Sequence, residues 1–226
     1  MDAIKDVNKS KYRKAINDYY SRWQLTDSFL RSLCVKEYSL HVDENIVNAK
    51  VLIIGRTFAS GIERQVRILK KKENRRQGEA IDKLTRYIYN NGKEIDCIIS
   101  SINQCAKFDE KSIVQICEGH AKLCNILKTI TRTSKNHKKH IPISFASKYL
   151  HFHCPIVPIY DSFASYQVWN MVEKYKLPSL ERPVICYSGY YDYCRGILAI
   201  YNELVRTKAV PKPTARYAEY YVMWSS

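Results

Sequence analysis

The sequence has no apolar run long enough to cross a bilayer and no stretch of sustained two-residue alternation. The first absence argues against a helical membrane protein, and the second removes the pattern of a half-buried sheet. There is no Walker loop, GxGxxG, GxSxG or C2H2 spacing, so the common phosphate-loop, dinucleotide, hydrolase and zinc-finger readings have no footing. Internal repeats and low-complexity tracts are also missing. The N-terminal stretch MDAIKDVNKSKYRK is charged and lacks the apolar segment of a secretory signal. With eight cysteines and no such signal, the expectation is a cytoplasmic protein with reduced thiols, and no membrane partner. Acidic residues are few: 22 Asp and Glu stand against 37 Lys and Arg, a net charge of +15. An excess of that size points to a polyanionic partner, with nucleic acid favoured.

What is present is a chain of 226 residues with 46% hydrophobic and 26% charged content, enough for a real core. It fits one domain, or two helical lobes over about 1–134 and 135–226. Apolar residues recur at helical intervals almost throughout, which predicts an all-α fold. Tyr12, Ile16, Tyr19 and Trp23 share a face of the first helix, and Thr26 is a plausible cap for the second. A third helix is expected from Asp43 or Glu44 through residue 69, with Gly55 and Gly61 inside it. Lys50, Arg56, Ser60, Glu63 and Arg64 interrupt its apolar sequence and are expected on a solvent-facing side. A further helix covers 79–90. Another is capped by Asp109 and carries Cys117, His120 and Cys124 on its apolar stripe. That stripe suits core packing better than metal binding, because no CxxC or HxxxH pair completes a ligand set. The same holds for His151, His153 and Cys154. The tail from Thr214 predicts a last short helix with Tyr217, Tyr220, Tyr221 and Trp224.

The chemistry concentrates in 141–170, IPISFASKYLHFHCPIVPIYDSFASYQVWN. Ser144 to His153 reads as a helix. Pro155 and Pro158 force the link that follows into extended geometry. Asp161 then stands where the next helix must begin, as a favoured N-cap. Because the link is apolar (Ile156, Val157, Ile159), it is expected to be buried, and a partly desolvated carboxylate there needs a partner. Lys148 on the preceding helix is the nearby amine. An amine and a carboxylate in a semi-buried place can do nucleophilic and acid–base work. Taken singly, Asp161 is also an ordinary cap and Lys148 an ordinary surface lysine.

This stretch resembles the catalytic segment of the helix-hairpin-helix DNA glycosylases. In that superfamily a hairpin feeds a helix that carries a lysine in bifunctional members. A proline-containing link follows, and an essential aspartate caps the next helix. Lys148, the Pro155–Pro158 link and Asp161 match in order and in chemistry. More distantly, SKYLHFH followed by PIYDS is similar to uncharacterised bacterial proteins of that type, some linked to defence against phage with modified DNA. Two features depart from the pattern. HIPISFASK has no glycine where the family hairpin has a Gly-rich turn, and the lysine-to-aspartate spacing, 161 − 148 = 13, is short.

The resemblance implies a base-excising enzyme acting on double-stranded DNA with no cofactor. The base is flipped into a pocket, for which Tyr160, Trp169, Arg56 and Arg64 are candidates. Asp161 is the catalytic carboxylate, and Lys148 attacks C1′ if it is a nucleophile. Lys70, Lys71, Lys72, Arg75, Arg76, Lys135, Lys138 and Lys139, with Ser144 and Ser147, are candidate DNA contacts. The rival is a non-enzymatic, basic nucleic-acid-binding module in which Asp161 is only a cap. A metal-dependent nuclease ranks last, since no DxD or ExK set supplies its carboxylates.

Overall fold

Helix α8 (Ile143–His153) runs through the middle of the molecule. Every residue from Phe145 to His153 is buried, so the helix has no solvent face over that span. The structure, a computed structural model, describes residues 8–58, 60–66, 78–133, 139–172, 182–208 and 213–224. Among these residues there is no strand, only two isolated antiparallel bridges, and the class is all-α.

Ten further helices surround or extend this centre among the described residues. They are α1 (Lys9–Arg22), α2 (Gln24–Arg31, running into a π-helical turn over Ser32–Glu37), α3 (Glu44–Thr57), the single turn α4 (Ile62–Gln65), α5 (Glu79–Asn90) and α6 (Gly92–Asn103). They continue with α7 (Glu110–Lys128), α9 (Ser162–Met171), α10 (Ser188–Arg206) and α11 (Ala215–Trp224). The π turn, α2, α3 and α7 all touch α8, while α11 packs on α1, α9 and α10. Contacts therefore cross the expected lobe boundary near residue 134 repeatedly, and the chain forms one compact domain.

Two expectations for the first third change. Thr26 caps nothing, because α2 begins directly after Trp23 and buries Asp27. The long third helix is broken. α3 stops at Thr57, and Gly61 takes a left-handed φ of 65° before α4 starts. That conformation is strained for side-chain-bearing residues but open to glycine. Its polar residues divide as well. Lys50 is fully buried and Ser60 nearly so, whereas Arg56 is exposed and paired with Glu63 at 2.9 Å.

Between α7 and α8 the described residues 129–133 and 139–142 lie against each other. They are tied by a Thr133–Lys139 bridge and by His140 N–H donating to the Arg132 carbonyl at 2.9 Å. Asp109 caps α7 in a reciprocal capping box with Ser112. All eight cysteines are free thiols. No described helix is long and apolar enough to cross a membrane.

Candidate active site

The link from Cys154 to Tyr160 is where the sequence creates a problem that the fold has to solve. Two prolines keep it out of helix, yet most of it is buried, so its backbone polar groups have neither water nor a ladder. Side chains supply the partners instead. The carbonyls of Val157, Pro158 and Ile159 are met by His151 Nδ1 (2.7 Å), the Tyr190 hydroxyl (2.9 Å) and the Tyr193 hydroxyl (2.7 Å). The amide of Ile159 donates to Glu219, and that of Tyr160 to Ser147 Oγ at 2.9 Å. Five side chains from α8, α10 and α11 thus fix the link, and the link delivers Asp161. Close approach of α10 to α9 completes the setting: a Cβ on Gly196 would sit 2.3 Å from Val168 Cγ1.

Asp161 caps α9 as expected. Its Oδ1 accepts the Ala164 amide at 2.7 Å, and Oδ2 makes no hydrogen bond to a described residue. Lys148, 3% exposed, donates from Nζ to the Phe58 carbonyl at 2.7 Å and to Ser144 Oγ at 3.0 Å. The break in α3 creates the first of these acceptors, since carbonyls at a helix C-terminus lack intrahelical partners. Burial pushes the Lys148 amine below the ordinary lysine range. The Asp161 charge works against that shift and the Arg216 charge with it. Lys148 and Asp161 make no direct ion pair, so each has capacity left for a third group.

That capacity faces open space. Lys148, Asp161 and Phe58 line two cavities at once. The smaller, about 400 Å³, is walled by Trp23, Thr57, Ile159, Arg216, Tyr220, Met223 and Trp224. The larger, about 620 Å³, is more polar, with Ser60, His140, Ser144, Tyr160, Ser162 and Phe163 on its walls. Both volumes fall in the usual range for small-molecule sites, roughly 300–1,000 Å³. Behind the smaller cavity, Arg216 bonds Asp27 from Nε at 2.9 Å and Glu219 from Nη1 at 3.4 Å. Burial pushes the Glu219 carboxyl up to about 8, with Arg216 and the Ile159 amide opposing that shift.

The sequence-derived residues separate into groups. Lys148, Asp161, Ser144 and Tyr160 come together. Ser147, expected at the DNA, is fully buried and holds the link. Trp169 packs half-buried on the core and lines neither cavity. Arg56 and Arg64 also lie outside both linings. Lys139 is exposed and reaches the Thr129 carbonyl at 3.2 Å. Lys70, Lys71, Lys72, Arg75, Arg76, Lys135 and Lys138 lie outside the described residues. Sequence reasoning missed Trp23, Phe58, Arg216 and Trp224 as site residues. Nothing local shows that the first and last helices meet, though an Arg216–Glu219 pair inside a largely apolar and aromatic final helix was a signal.

His120, His151 and His153 are buried, and burial lowers all three, His120 to about 4. His120 stacks on Tyr190 at 3.7 Å and bonds the Ile143 carbonyl at 3.0 Å, a packing role. Among the described residues no group of three His, Cys, Asp or Glu side chains is placed to hold a metal. Compared with protein-family models, curated proteins and solved structures, the chain matches none of them.

Proposed function

We propose that the chain is a DNA glycosylase in which Asp161 and Lys148 act on the N-glycosidic bond of a flipped nucleotide. The observation that carries this reading is the shared wall. A buried amine and a carboxylate with one free oxygen border an aromatic cavity on one side and a polar cavity on the other. A deoxyribose seated between them meets both groups while its base enters the aromatic side. Asp161 then balances positive charge growing on the sugar, or takes the proton from the attacking nucleophile. Lys148, its amine favoured in the neutral form by burial, bonds C1′ as the base departs with the glycosidic electron pair. Ring opening of that adduct gives a Schiff base. The basic surface supplies the sequence-independent grip on the duplex. The order of lysine helix, proline link and capping aspartate supports the same reading by resemblance.

Borohydride trapping on duplexes carrying damaged or modified bases tests it. The expected result is a covalent adduct that disappears in Lys148→Ala. Base release without an adduct, lost in Asp161→Asn, assigns attack to water and leaves Lys148 a positioning role. Salt-sensitive binding that is equal in all three proteins, with no release, replaces the proposal with the non-enzymatic binding module.

A further inference from the structure

The smaller cavity contains a group that the glycosylase chemistry above does not use. Arg216 is 4% exposed, yet it lines the cavity beside Lys148 and Asp161. Its Nε and Nη1 are spent on Asp27 and Glu219, whose side chains are each 1% exposed. Nη2 has no hydrogen-bond partner among the described residues. Asp27 is itself anchored by the Tyr19 hydroxyl at 2.9 Å, and the Arg216 guanidinium stands 5.9 Å from the Tyr19 ring. The fork is therefore fixed in plane and position, with the Nη2 donors to spare. An arginine keeps its charge at any physiological pH, and here the Asp27 carboxylate reinforces that charge against the cost of burial. Trp23, Phe58 and Trp224 line the same cavity, the ring centroids of the first two 5.9 Å apart. A planar, apolar-faced ligand with a hydrogen-bond acceptor on its edge fits such a place.

Resting on the glycosylase reading, we propose that this cavity receives the base and that Arg216 reads a carbonyl oxygen on it. The substrates are then neutral oxo-bases rather than cationic N-alkylated purines. A neutral base gains a charge-assisted hydrogen bond from Nη2. A cationic base brings a positive charge against the fixed guanidinium and is disfavoured there by repulsion. An unmodified adenine has no exocyclic carbonyl to offer.

The test uses the full-length chain and duplexes that differ at one base. One set carries uracil, hypoxanthine or an 8-oxopurine; the other carries N7-methylguanine or N3-methyladenine. Binding is measured with Asp161→Asn and base release with the wild type. At least one oxo-base is expected to bind tenfold or more tightly than either cationic base. Arg216→Lys retains the charge but loses the fork, and should weaken that preferred complex by about ten- to one-hundred-fold, leaving the unmodified duplex unchanged. Preference for the cationic bases, or an equal loss on every duplex, would overturn the role of Arg216 while leaving base release intact. Uniform binding with no release from any duplex overturns the glycosylase reading and this proposal together. Should Arg216→Lys fail to fold, the wild-type ranking of the two base classes decides alone.

Discussion

Among the described residues two lysines, Lys50 and Lys148, are buried, and their surroundings differ. Lys50 on α3 is fully enclosed. Its Nζ reaches the Leu40 carbonyl at 3.4 Å, and it sits near Cys34 and Asp96, with His41 beyond. His41 is clamped between Asp96 at 2.6 Å and the Tyr149 hydroxyl at 2.8 Å, and stacks on His153. Burial lowers the Lys50 amine, as it lowers Lys148. Lys50 borders none of the cavities described above, whereas Lys148 borders two. A desolvated amine is thus not in itself a sign of chemistry. Access, together with a carboxylate that has an oxygen to spare, separates the second lysine from the first.

The comparison is broken most sharply by exchanging each lysine for methionine. Lys148→Met should reduce base release by about 10²-fold or more, the scale of a lost acid–base or nucleophilic group. Lys50→Met should leave release unchanged, and should shift stability by no more than about 1–2 kcal/mol, because apolar replacement of a buried charge is often tolerated. Thermal melts and single-turnover release separate the two. Equal loss of activity in both variants would erase the distinction.

A second prediction concerns the carboxylate behind the site. Glu219 titrates at about 8 in the fold and at the ordinary carboxylate value when unfolded. The folded state therefore holds a proton that the unfolded state releases. Its stabilising share is complete at low pH and declines as pH rises from about 4.5 to about 8. His120 slopes the other way, but only below the ordinary histidine value of 6.5. Denaturation midpoints for wild type and Glu219→Gln should therefore converge at low pH and diverge between pH 6.5 and 8, with the wild type losing stability more steeply. Parallel curves in that window would show that Glu219 stays ionised.

The smallest expected effect tests the link. Tyr193→Phe removes the hydroxyl on the Ile159 carbonyl and leaves that buried acceptor unmet. The cost should be about 1–3 kcal/mol of stability. Release should fall modestly and equally on all substrates, because Asp161 is held less firmly. A stability loss with no change in rate would mean that the link does not position Asp161.

Much of this was legible in the sequence, for identifiable reasons. Pro155, Pro158 and Asp161 act locally, so the extended link, the cap and the start of α9 could be read directly. The capped start of α7 followed from Asp109 in the same way. The break in α3 was not legible, because Gly61 inside an apolar run fits a helix interior about as well as a left-handed turn. Missing that break hid the Phe58 carbonyl that receives Lys148. The aromatic cavity escaped for a different reason. Trp23 and Trp224 belong to helices at opposite ends of the chain, and only tertiary packing brings them together. Ser147 was misread because a serine beside a lysine on a basic chain suits phosphate as well as it suits a buried amide.

The most direct test of the central claim is single-turnover base release by Asp161→Asn beside the wild type, on whichever modified duplex the wild type cleaves fastest. Asparagine caps a helix as well as aspartate, so the fold and the melting midpoint should persist while the charge is lost. The account predicts an unchanged melt and a fall in release of about 10²-fold or more. An unchanged melt with an unchanged rate would contradict it, and would make Asp161 a cap and nothing else.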